Sequence, residues 1–504
     1  MAITTQKLLA ELGIPTILHA PRDLHLLFLT RFLRMAAYSG ASLILALFFA
    51  ALDISEARIG LFMTFTLLGD VALSLLLTQI ADAAGRRRIL LLGCVCMGIA
   101  GTVFATASNY WVLLVAAVVG VISVSGNEIG PFRAVEESVL AGLVDERGRS
   151  DVFAWYVVLG TLGSACGLAG TGWLVEGLKG RGWTELETYR VVFWMYGGLG
   201  VVKAVVTRFL STRCEVNGDK EGYVPVARQE AAPLADGEED DDDDNNEHRD
   251  QRPARPVAAA AAAAAPSKPK LGFASLSTKT RWTLLRLCAL FAVDSLASGM
   301  VPYSLINFYL DRKFHMPKNS LGDIMSVVWI MSSIGNIFAS AISKRIGLIK
   351  TMVFTHLPSA IFLGMLPAAG TVWLTIVLLV ARGTLASMDQ APRSAFLSKV
   401  VAADERTAVM GIVNVVKTLS QSGGPTLTGV LAGDQRFWIA FVAAGALKAS
   451  YDIGLMTFFL KVERQAGRQD QGALNGSDRQ AEELHDTFEL GTDDERSSAE
   501  ETRK

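Results

Sequence analysis

The chain has 504 residues, of which 51% are hydrophobic and 19% are charged, and its mean hydropathy is +0.35. A soluble chain of this length would form about three domains and carry more charge, so the composition indicates a membrane protein. The net charge of −2 excludes the overall basic surface that nucleic-acid binding requires. Its five cysteines are interpreted as small apolar residues rather than as a disulfide framework.

Apolar runs of about 20 residues recur along the chain, and each is long enough to cross a bilayer as a helix. The first six are predicted at 25–51, 57–80, 89–107, 111–132, 152–175 and 190–210. The second six are predicted at 283–308, 320–342, 348–369, 371–391, 408–431 and 436–460. The predicted fold class is therefore an all-α membrane protein of twelve transmembrane helices.

Polar segments surround and separate these runs. Residues 1–23 are predicted to be a cytoplasmic N-terminal segment, and Met1 to Ala20 show no basic start and apolar core of a cleavable signal peptide. Residues 211–282 contain an unbroken acidic run and eight consecutive alanines, and we expect a disordered cytoplasmic linker there. The linker would separate a bundle at 24–210 from a bundle at 283–461, and residues 462–504 would form a disordered cytoplasmic tail.

Basic residues favour alternate loops. Arg86 to Arg88 follow the second predicted helix, Arg147 and Arg149 follow the fourth, and Lys344 and Arg345 follow the eighth. Because positively charged loops stay on the cytoplasmic side, both termini and the linker are expected in the cytoplasm. The plasma membrane is the expected location, and the vacuolar membrane is the alternative.

The two halves of the sequence resemble each other. Offsets of 262 and 257 residues pair glycines of the first half with glycines of the second: Gly60 with Gly322, Gly85 with Gly347, Gly167 with Gly424, and Gly172 with Gly429. These pairs occur in the right order on corresponding helices, which predicts a duplicated six-helix unit. Many secondary transporters are built from such repeats and bind their substrate between them.

The most specific motif is TQIADAAGRRRIL, residues 78–90, at the end of the second predicted helix. It resembles the loop signature G-x-L-A-D-x-x-G-R-R/K of the major facilitator superfamily. The matching residues are Ala81, Asp82, Gly85, Arg86 and Arg87, whereas Thr78 replaces the first glycine and Ile80 replaces the leucine. The segments NEIGPFRAVEES (127–138) and RSDVFAWY (149–156) resemble a largely fungal subgroup of the same superfamily.

The resemblance implies two pseudo-symmetric six-helix bundles around a central cavity lined mainly by helices 1, 4, 7 and 10. It implies secondary active transport by alternating access, with the aspartate–arginine loop latching the halves when the cavity opens outward. We assign that latching role to Asp82, Gly85, Arg86 and Arg87. The sequence contains no Walker A, H-E-x-x-H or G-x-S-x-G motif, so we expect a transporter without cofactor or metal rather than an enzyme. We also expect a monomer.

Ionisable residues interrupt several predicted helices. Each costs about 2.5–3.5 kcal/mol at mid-bilayer unless it finds a partner or a polar cavity, so these side chains are expected to face inward. The candidates for substrate or proton binding are Glu128, Asp294, Arg382, Asn127, Asp70 and Tyr38. A second layer, predicted to gate the cavity near the cytoplasm, contains Arg31, Arg34, Arg133, Glu136 and Asp389.

These charges favour proton-coupled transport of a small polar or charged solute, because a buried acid can bind and release a proton as the gates alternate. Arg382 and Lys417 suit an anionic substrate, or alternatively they neutralise Asp294 and Asp389. Export of drugs or toxins is an alternative within the same class. A transporter-like receptor that signals through its linker or tail is the alternative from another class. His356 is interpreted as a packed or hydrogen-bonded histidine.

Overall fold

The computed structural model describes residues 14–124, 131–144, 146–215, 278–390, 392–393, 396 and 406–459. The first half contains α1 (Ile14–Leu18), α2 (Arg22–Ala51), α3 (Glu56–Ala84), α4 (Arg86–Thr106), α5 (Tyr110–Val119), α6 (Pro131–Leu143), α7 (Glu146–Lys179) and α8 (Glu185–Arg208). The second half contains α9 (Thr278–Met300), α10 (Tyr303–Phe314), α11 (Lys318–Ile346), α12 (Leu348–Met365), α13 (Val372–Ser387), α14 (Arg406–Gly433) and α15 (Phe437–Phe459).

The helices confirm the predicted all-α membrane fold. Within the described ranges, seven helices are long and apolar enough to cross a membrane, and the bent pair α9–α10 would be an eighth. The helices α5 and α13 are apolar but shorter. Ten of the twelve predicted spans coincide with one continuous helix each, apart from small differences at their ends.

Two predicted spans are wrong as continuous helices. The span predicted at 111–132 stops at Val119, and residues 120–124 are non-helical, with a φ of 50° at Val121. The span predicted at 283–308 is divided into α9 and α10, which meet at an angle of 41°. Pro302 precedes α10 at its N-cap, where its missing N–H and fixed φ end the first helix and start the second. Hydrophobicity cannot reveal such breaks, because the apolar run continues through them.

The buried apolar side chains form three cores at different positions along the helices. We define the terminal end as the end where α2 starts at Arg22 and α15 stops at Phe459, and the distal end as the opposite one. One continuous core occupies the distal end and contains residues of both halves, including Phe48 and Phe308. Two further cores lie toward the terminal end, one built from the first half and one from the second. Of these three cores, only the distal one therefore contains residues of both halves.

The repeated glycines form equivalent contacts between the halves. Gly60 of α3 packs against Gly429 of α14, and Gly172 of α7 packs against Gly322 of α11. A Cβ atom at Gly60 or Gly172 would lie 2.2 or 2.4 Å from a carbonyl oxygen of the facing helix. Only glycine permits this approach of two backbones. The glycines that the internal repeat relates to each other thus lie in two equivalent contacts between the halves.

Polar contacts reinforce the distal interface. They include the ion pair of Arg312 with Glu56 at 2.5 Å, the hydrogen bond from Lys318 N to Glu176 at 3.1 Å, and that from Ser326 Oγ to the Ala165 carbonyl at 2.7 Å. Nearer the middle, Ser304 Oγ donates to the Val124 carbonyl at 2.5 Å and joins the two broken spans.

The structure describes both ends of the segment predicted as a linker. Ser211 donates from its backbone N at 2.9 Å and from its hydroxyl to the Asp23 carboxylate, and Cys214 is buried. These contacts hold residues 211–215 against α2, and α9 already begins at Thr278, so the boundaries predicted at 211 and 282 are too wide. The predictions for 1–13, 216–277 and 460–504 concern residues outside the described part of the chain.

Candidate functional site: paired charge clusters inside the two halves

A buried ion pair joins α2 and α6 in the first half. Arg34 donates through its two terminal nitrogens to the two carboxylate oxygens of Glu136, at 2.5 and 2.6 Å, and the side chains are 2% and 3% exposed. Tyr156 of α7 donates to the same carboxylate at 2.8 Å. The Arg31 guanidinium lies 4.4 Å from the centre of the Tyr156 ring. Bidentate arginine–carboxylate pairs are strong and geometrically specific, so this cluster fixes three helices of the first half.

A small cavity lies beside this ion pair. Lys203 of α8, which is 4% exposed, lines it together with Tyr38 and Glu136. The cavity has room for about one water molecule. Tyr38 also stacks on Tyr196, with ring centres 6.2 Å apart. Tyr38, a predicted candidate for substrate or proton binding, therefore lies inside the first bundle.

The second half contains a corresponding cluster around Asp294 of α9. Lys448 of α15 donates to Asp294 at 2.7 Å, and Arg393 donates to its other carboxylate oxygen at 3.1 Å. Arg393 also forms an ion pair with Asp389, and Lys448 donates to Ser298 Oγ at 2.7 Å. Two cations thus compensate the buried Asp294 carboxylate, as burial of a charge requires.

His356 of α12 connects Asp294 to a further acid. Its Nδ1 lies 2.9 Å from the carboxylate of Asp452, and its Nε2 lies 3.7 Å from that of Asp294. Asp452 is fully buried. The interpretation of His356 as a hydrogen-bonded histidine is confirmed. The imidazole of His356 therefore lies between two carboxylates at the centre of this cluster.

The two clusters occupy equivalent positions of the repeat, with their charges exchanged. An offset of 260 residues relates Arg34 to Asp294, and it also relates buried Leu27 to buried Leu287. An offset of 257 relates Glu136 to Arg393. The ion pair between the first and fourth spans is therefore arginine–glutamate in one half and aspartate–arginine in the other.

The correspondence between the two clusters extends to the third and sixth spans of each half. An offset of 245 residues relates Lys203 to Lys448 and Thr207 to Asp452. An offset of 262 relates Cys94 to His356, and Cys94 Sγ lies 3.7 Å from the Thr207 hydroxyl where His356 binds Asp452. The second half thus carries an ionisable pair where the first half carries a neutral one.

The arginines Arg34 and Arg393 pair with acids on other helices of their own half. Arg34 and Glu136 both belong to the first half, and Asp294 and Arg393 both belong to the second. Arg133 binds Glu137 on its own helix at 2.6 Å. The first and fourth spans of a bundle are neighbours, which explains why these partners do not lie across the interface. The gating role of these residues stays a prediction.

The loop motif is anchored to the first half. Gly85 has a φ of 96° at the start of α4, and its counterpart Gly347 has a φ of 92° at the start of α12, conformations that favour glycine. Arg86 is buried and donates to the Ser138 carbonyl of α6 at 3.2 Å, whereas Arg87 is half-buried. The latching role assigned to this motif stays a prediction.

The remaining candidates have different environments. Asp70 is half-buried on α3, within electrostatic range of Tyr38. Asn127, Glu128 and the side chain of Asp82 lie outside the described residues.

Arg382 and Lys417 form no ion pair with the described acids. Arg382 of α13 is half-buried and lies within electrostatic range of Tyr303, and Lys417 of α14 lies 5.8 Å from the centre of the Phe291 ring. Asp294 and Asp389 are instead compensated by Lys448 and Arg393. Lys417 lies within electrostatic range of Asp294 and Asp389 without forming an ion pair with them, so the alternative in which Arg382 and Lys417 neutralise these acids stays a prediction.

Sequence reasoning missed Lys203, Lys448 and Asp452. All three lie inside predicted apolar runs, at 190–210 and 436–460, so the rule that selected Asp294 would have selected them too. The offset of 245 residues that relates the two lysines was the additional signal.

Comparisons with known proteins agree with this architecture. The family profile of the Major Facilitator Superfamily matches residues 27–267 and 287–480. The uncharacterized membrane protein YJR124C of Saccharomyces cerevisiae is 33% identical over 453 residues, which cover 89% of this chain and 97% of that protein. The chain belongs to the Major Facilitator Superfamily, and it is a multi-pass membrane transporter rather than an enzyme.

Solved structures share the fold at low sequence identity. The nucleoside transporter NupG matches with a TM-score of 0.61 and 15% identity, over 87% of this chain and 99% of that chain. A bacterial homologue of the human lysosomal transporter Spinster, inward-facing and occupied, matches with a TM-score of 0.62 and 14% identity, over 87% and 97%. An inward-facing bacterial homologue of the iron transporter ferroportin matches with a TM-score of 0.62 and 12% identity, over 86% and 98%. At such identities the similarity concerns the fold alone.

Proposed function

We propose that this protein is a secondary transporter that moves a small polar or charged solute by alternating access. The observation that carries the proposal is the division of the core, which joins the halves distally and separates into one core per half toward the terminal end. A central path that is closed distally explains this division. The solved structures of the Spinster and ferroportin homologues are inward-facing, and the same arrangement fits this protein if the terminal end is cytoplasmic.

The ion pairs inside the halves support a rocking motion. Because Arg34–Glu136 and Asp294–Arg393 each tie two helices of the same half together, each half can move as one body. The distal glycine contacts would then separate while the terminal ends approach. The basic loops support cytoplasmic termini, and we propose a monomer in the plasma membrane.

Protons are the proposed driving ion. The observation that supports this proposal is the contact of His356 Nδ1 with the buried Asp452 carboxylate at 2.9 Å, while its Nε2 lies 3.7 Å from the Asp294 carboxylate. A proton taken up from one side and released to the other during the conformational change would couple its gradient to solute movement. Glu128 stays a further candidate.

Transport can be tested in proteoliposomes that contain the full-length protein and a trapped pH-sensitive dye. Fractionated metabolites are added outside, and the lumen is then examined by mass spectrometry. We expect a fraction that acidifies the lumen while its solute accumulates. Asp294→Asn should remove the acidification, whereas Asp434→Asn, which changes an exposed acid between α14 and α15, should preserve it.

The outcomes separate the alternatives. Solute accumulation without acidification in the wild-type protein would contradict proton coupling alone. Binding of a solute without its movement would favour the receptor, and deletion of 216–277 should then abolish signalling but not binding. Accumulation of structurally unrelated drugs would favour the exporter of toxic compounds.

The proposed closure of the central path at its distal end can be tested by cysteine labelling. A single cysteine at Ser304, which is 1% exposed and joins the halves, should react slowly with an impermeant maleimide added from the distal side in a background without native cysteines. Gly172→Ala should accelerate this labelling, because its Cβ would lie 2.4 Å from a carbonyl oxygen of α11. Gly170→Ala is the matched control, since its Cβ meets nothing within 4 Å. Equal labelling of both variants would argue against the closed distal interface.

A further inference from the structure

A helix begins inside the second half at the boundary between the halves. The N-terminus of α10 follows the bend at Pro302, and no side chain caps it. Ser304, its second residue, donates to Val124 in the non-helical stretch of the first half. The first amide groups of a helix lack intrahelical partners and carry a partial positive charge. This position therefore favours a negative group where the two halves meet.

Arg382 brings a full positive charge to the same region. It lies within electrostatic range of Tyr303, the first residue of α10, and its guanidinium makes no hydrogen bond or ion pair with any residue that the structure describes. Ser359 Oγ donates to the Arg382 carbonyl at 3.2 Å, which links α12 to α13 at this level. An arginine stays charged at all physiological pH values, so a position in the membrane interior requires an anion or water for compensation.

Two further side chains belong to this region. The Tyr303 ring lies 5.7 Å from the Trp329 ring of α11, measured between ring centres. Asn307, one turn after Tyr303 on the same face of α10, is fully buried, and within the described residues neither Nδ2 nor Oδ1 has a hydrogen-bond partner. A buried amide without partners costs about 1–3 kcal/mol, which a bound polar group would recover.

The two acids that the sequence analysis considered as partners of Arg382 already form other ion pairs. Asp294 binds Lys448 and Arg393, and Asp389 binds Arg393. Neither of these two carboxylates pairs with Arg382, and a negatively charged ligand would supply the compensation that the described residues do not.

We propose that Arg382, Tyr303 and the start of α10 bind a carboxylate or phosphate group of the transported solute. The inference rests on the proposed transport function and gives it a substrate class. The guanidinium offers two parallel N–H donors to the oxygens of such a group, and the helix start adds favourable partial charge. Trp329 provides an aromatic surface beside Tyr303 for the apolar part of the solute, and Asn307 offers one further donor and acceptor.

The test uses the purified full-length protein in lipid nanodiscs and measures its thermal unfolding midpoint against ligand concentration. Three probes share a four-carbon chain: succinate is anionic, putrescine is cationic and butane-1,4-diol is neutral. Inorganic phosphate and glycerol 3-phosphate form a second anionic arm that separates phosphate from carboxylate recognition. We expect at least one anion to raise the midpoint, with no effect of putrescine or the diol.

Substitution of Arg382 then locates the site. Arg382→Gln should weaken anion binding by roughly tenfold to a hundredfold, and Arg382→Lys should weaken it less, because it retains the charge but loses the paired donors. Arg345→Gln removes an exposed positive charge at the end of α11 and should leave binding unchanged. A Trp329-dependent fluorescence change on anion addition would report the same site in any variant with an unaltered unfolding midpoint.

The proposal is overturned if putrescine or the diol stabilises the protein instead, if no anion acts at millimolar concentration, or if anion binding survives Arg382→Gln. Solute movement in proteoliposomes together with any of these results would leave the transport function intact. Anion binding that depends on Arg382 without movement of any solute would instead contradict the transport function and retain the anion site.

Discussion

The buried ion pair of the first half provides a quantitative prediction. Glu136→Ala leaves the Arg34 guanidinium without the two bonds of 2.5 and 2.6 Å, and it removes the acceptor of the Tyr156 hydroxyl. Loss of one partner of a buried ion pair costs about 3–5 kcal/mol, because the remaining charge stays in a medium of low dielectric constant. We therefore expect Glu136→Ala to lower the free energy of unfolding by about 3–5 kcal/mol.

The neighbouring residue offers a matched control. Glu137 binds Arg133 four residues earlier on the same helix, but these side chains are 13% and 35% exposed. Because solvent screens such a pair, Glu137→Ala should cost only about 0.3–0.5 kcal/mol. The double variant Arg34→Met with Glu136→Leu should recover at least about 2 kcal/mol relative to Glu136→Ala, since the Arg34 charge is removed together with its partner.

The measurement is reversible unfolding by sodium dodecyl sulfate in lipid micelles, followed by helical circular dichroism. Equal losses for Glu136→Ala and Glu137→Ala would refute the reasoning. A double variant no more stable than Glu136→Ala would show that the loss of stability does not come from an unpaired charge.

Three more predictions follow from the same geometry. The double variant Arg34→Glu with Glu136→Arg exchanges the two charges of the ion pair in the first half and so gives it the acid–arginine order of the second half. Its transport rate and its stability should therefore be closer to wild type than those of Arg34→Glu alone, as measured by uptake and by denaturation. Gly85→Ala should destabilise by about 1–2 kcal/mol because its φ is 96°, whereas Gly177→Ala, with open space around its Cβ, should not lower the denaturation midpoint. Burial raises the pKa of the Cys214 thiol to about 12, so iodoacetamide at pH 8 should alkylate it about a thousandfold more slowly than an unperturbed cysteine, and mass spectrometry of digested protein would detect rapid labelling as a contradiction.

Much of the charged interior follows from residue type alone. A charged side chain inside an apolar run needs a partner, and this rule selected Arg34, Glu136 and Asp294. It did not tell which acid meets which base, because partners on different helices are separated by about a hundred residues of sequence. The exchanged order of the two ion pairs became visible only when the spans were placed side by side.

The sequence by itself determined the membrane class, ten of the twelve spans as single helices, and the duplication. These features depend on local hydrophobicity, on glycine spacing and on a loop motif, all of which act within one segment or recur at a constant offset. Only the tertiary structure decided where the helices break, that Tyr38 lies inside the first bundle, and that Arg382 has no described acidic partner. Those properties depend on contacts between segments distant in the chain, where packing and charge compensation outweigh local preference.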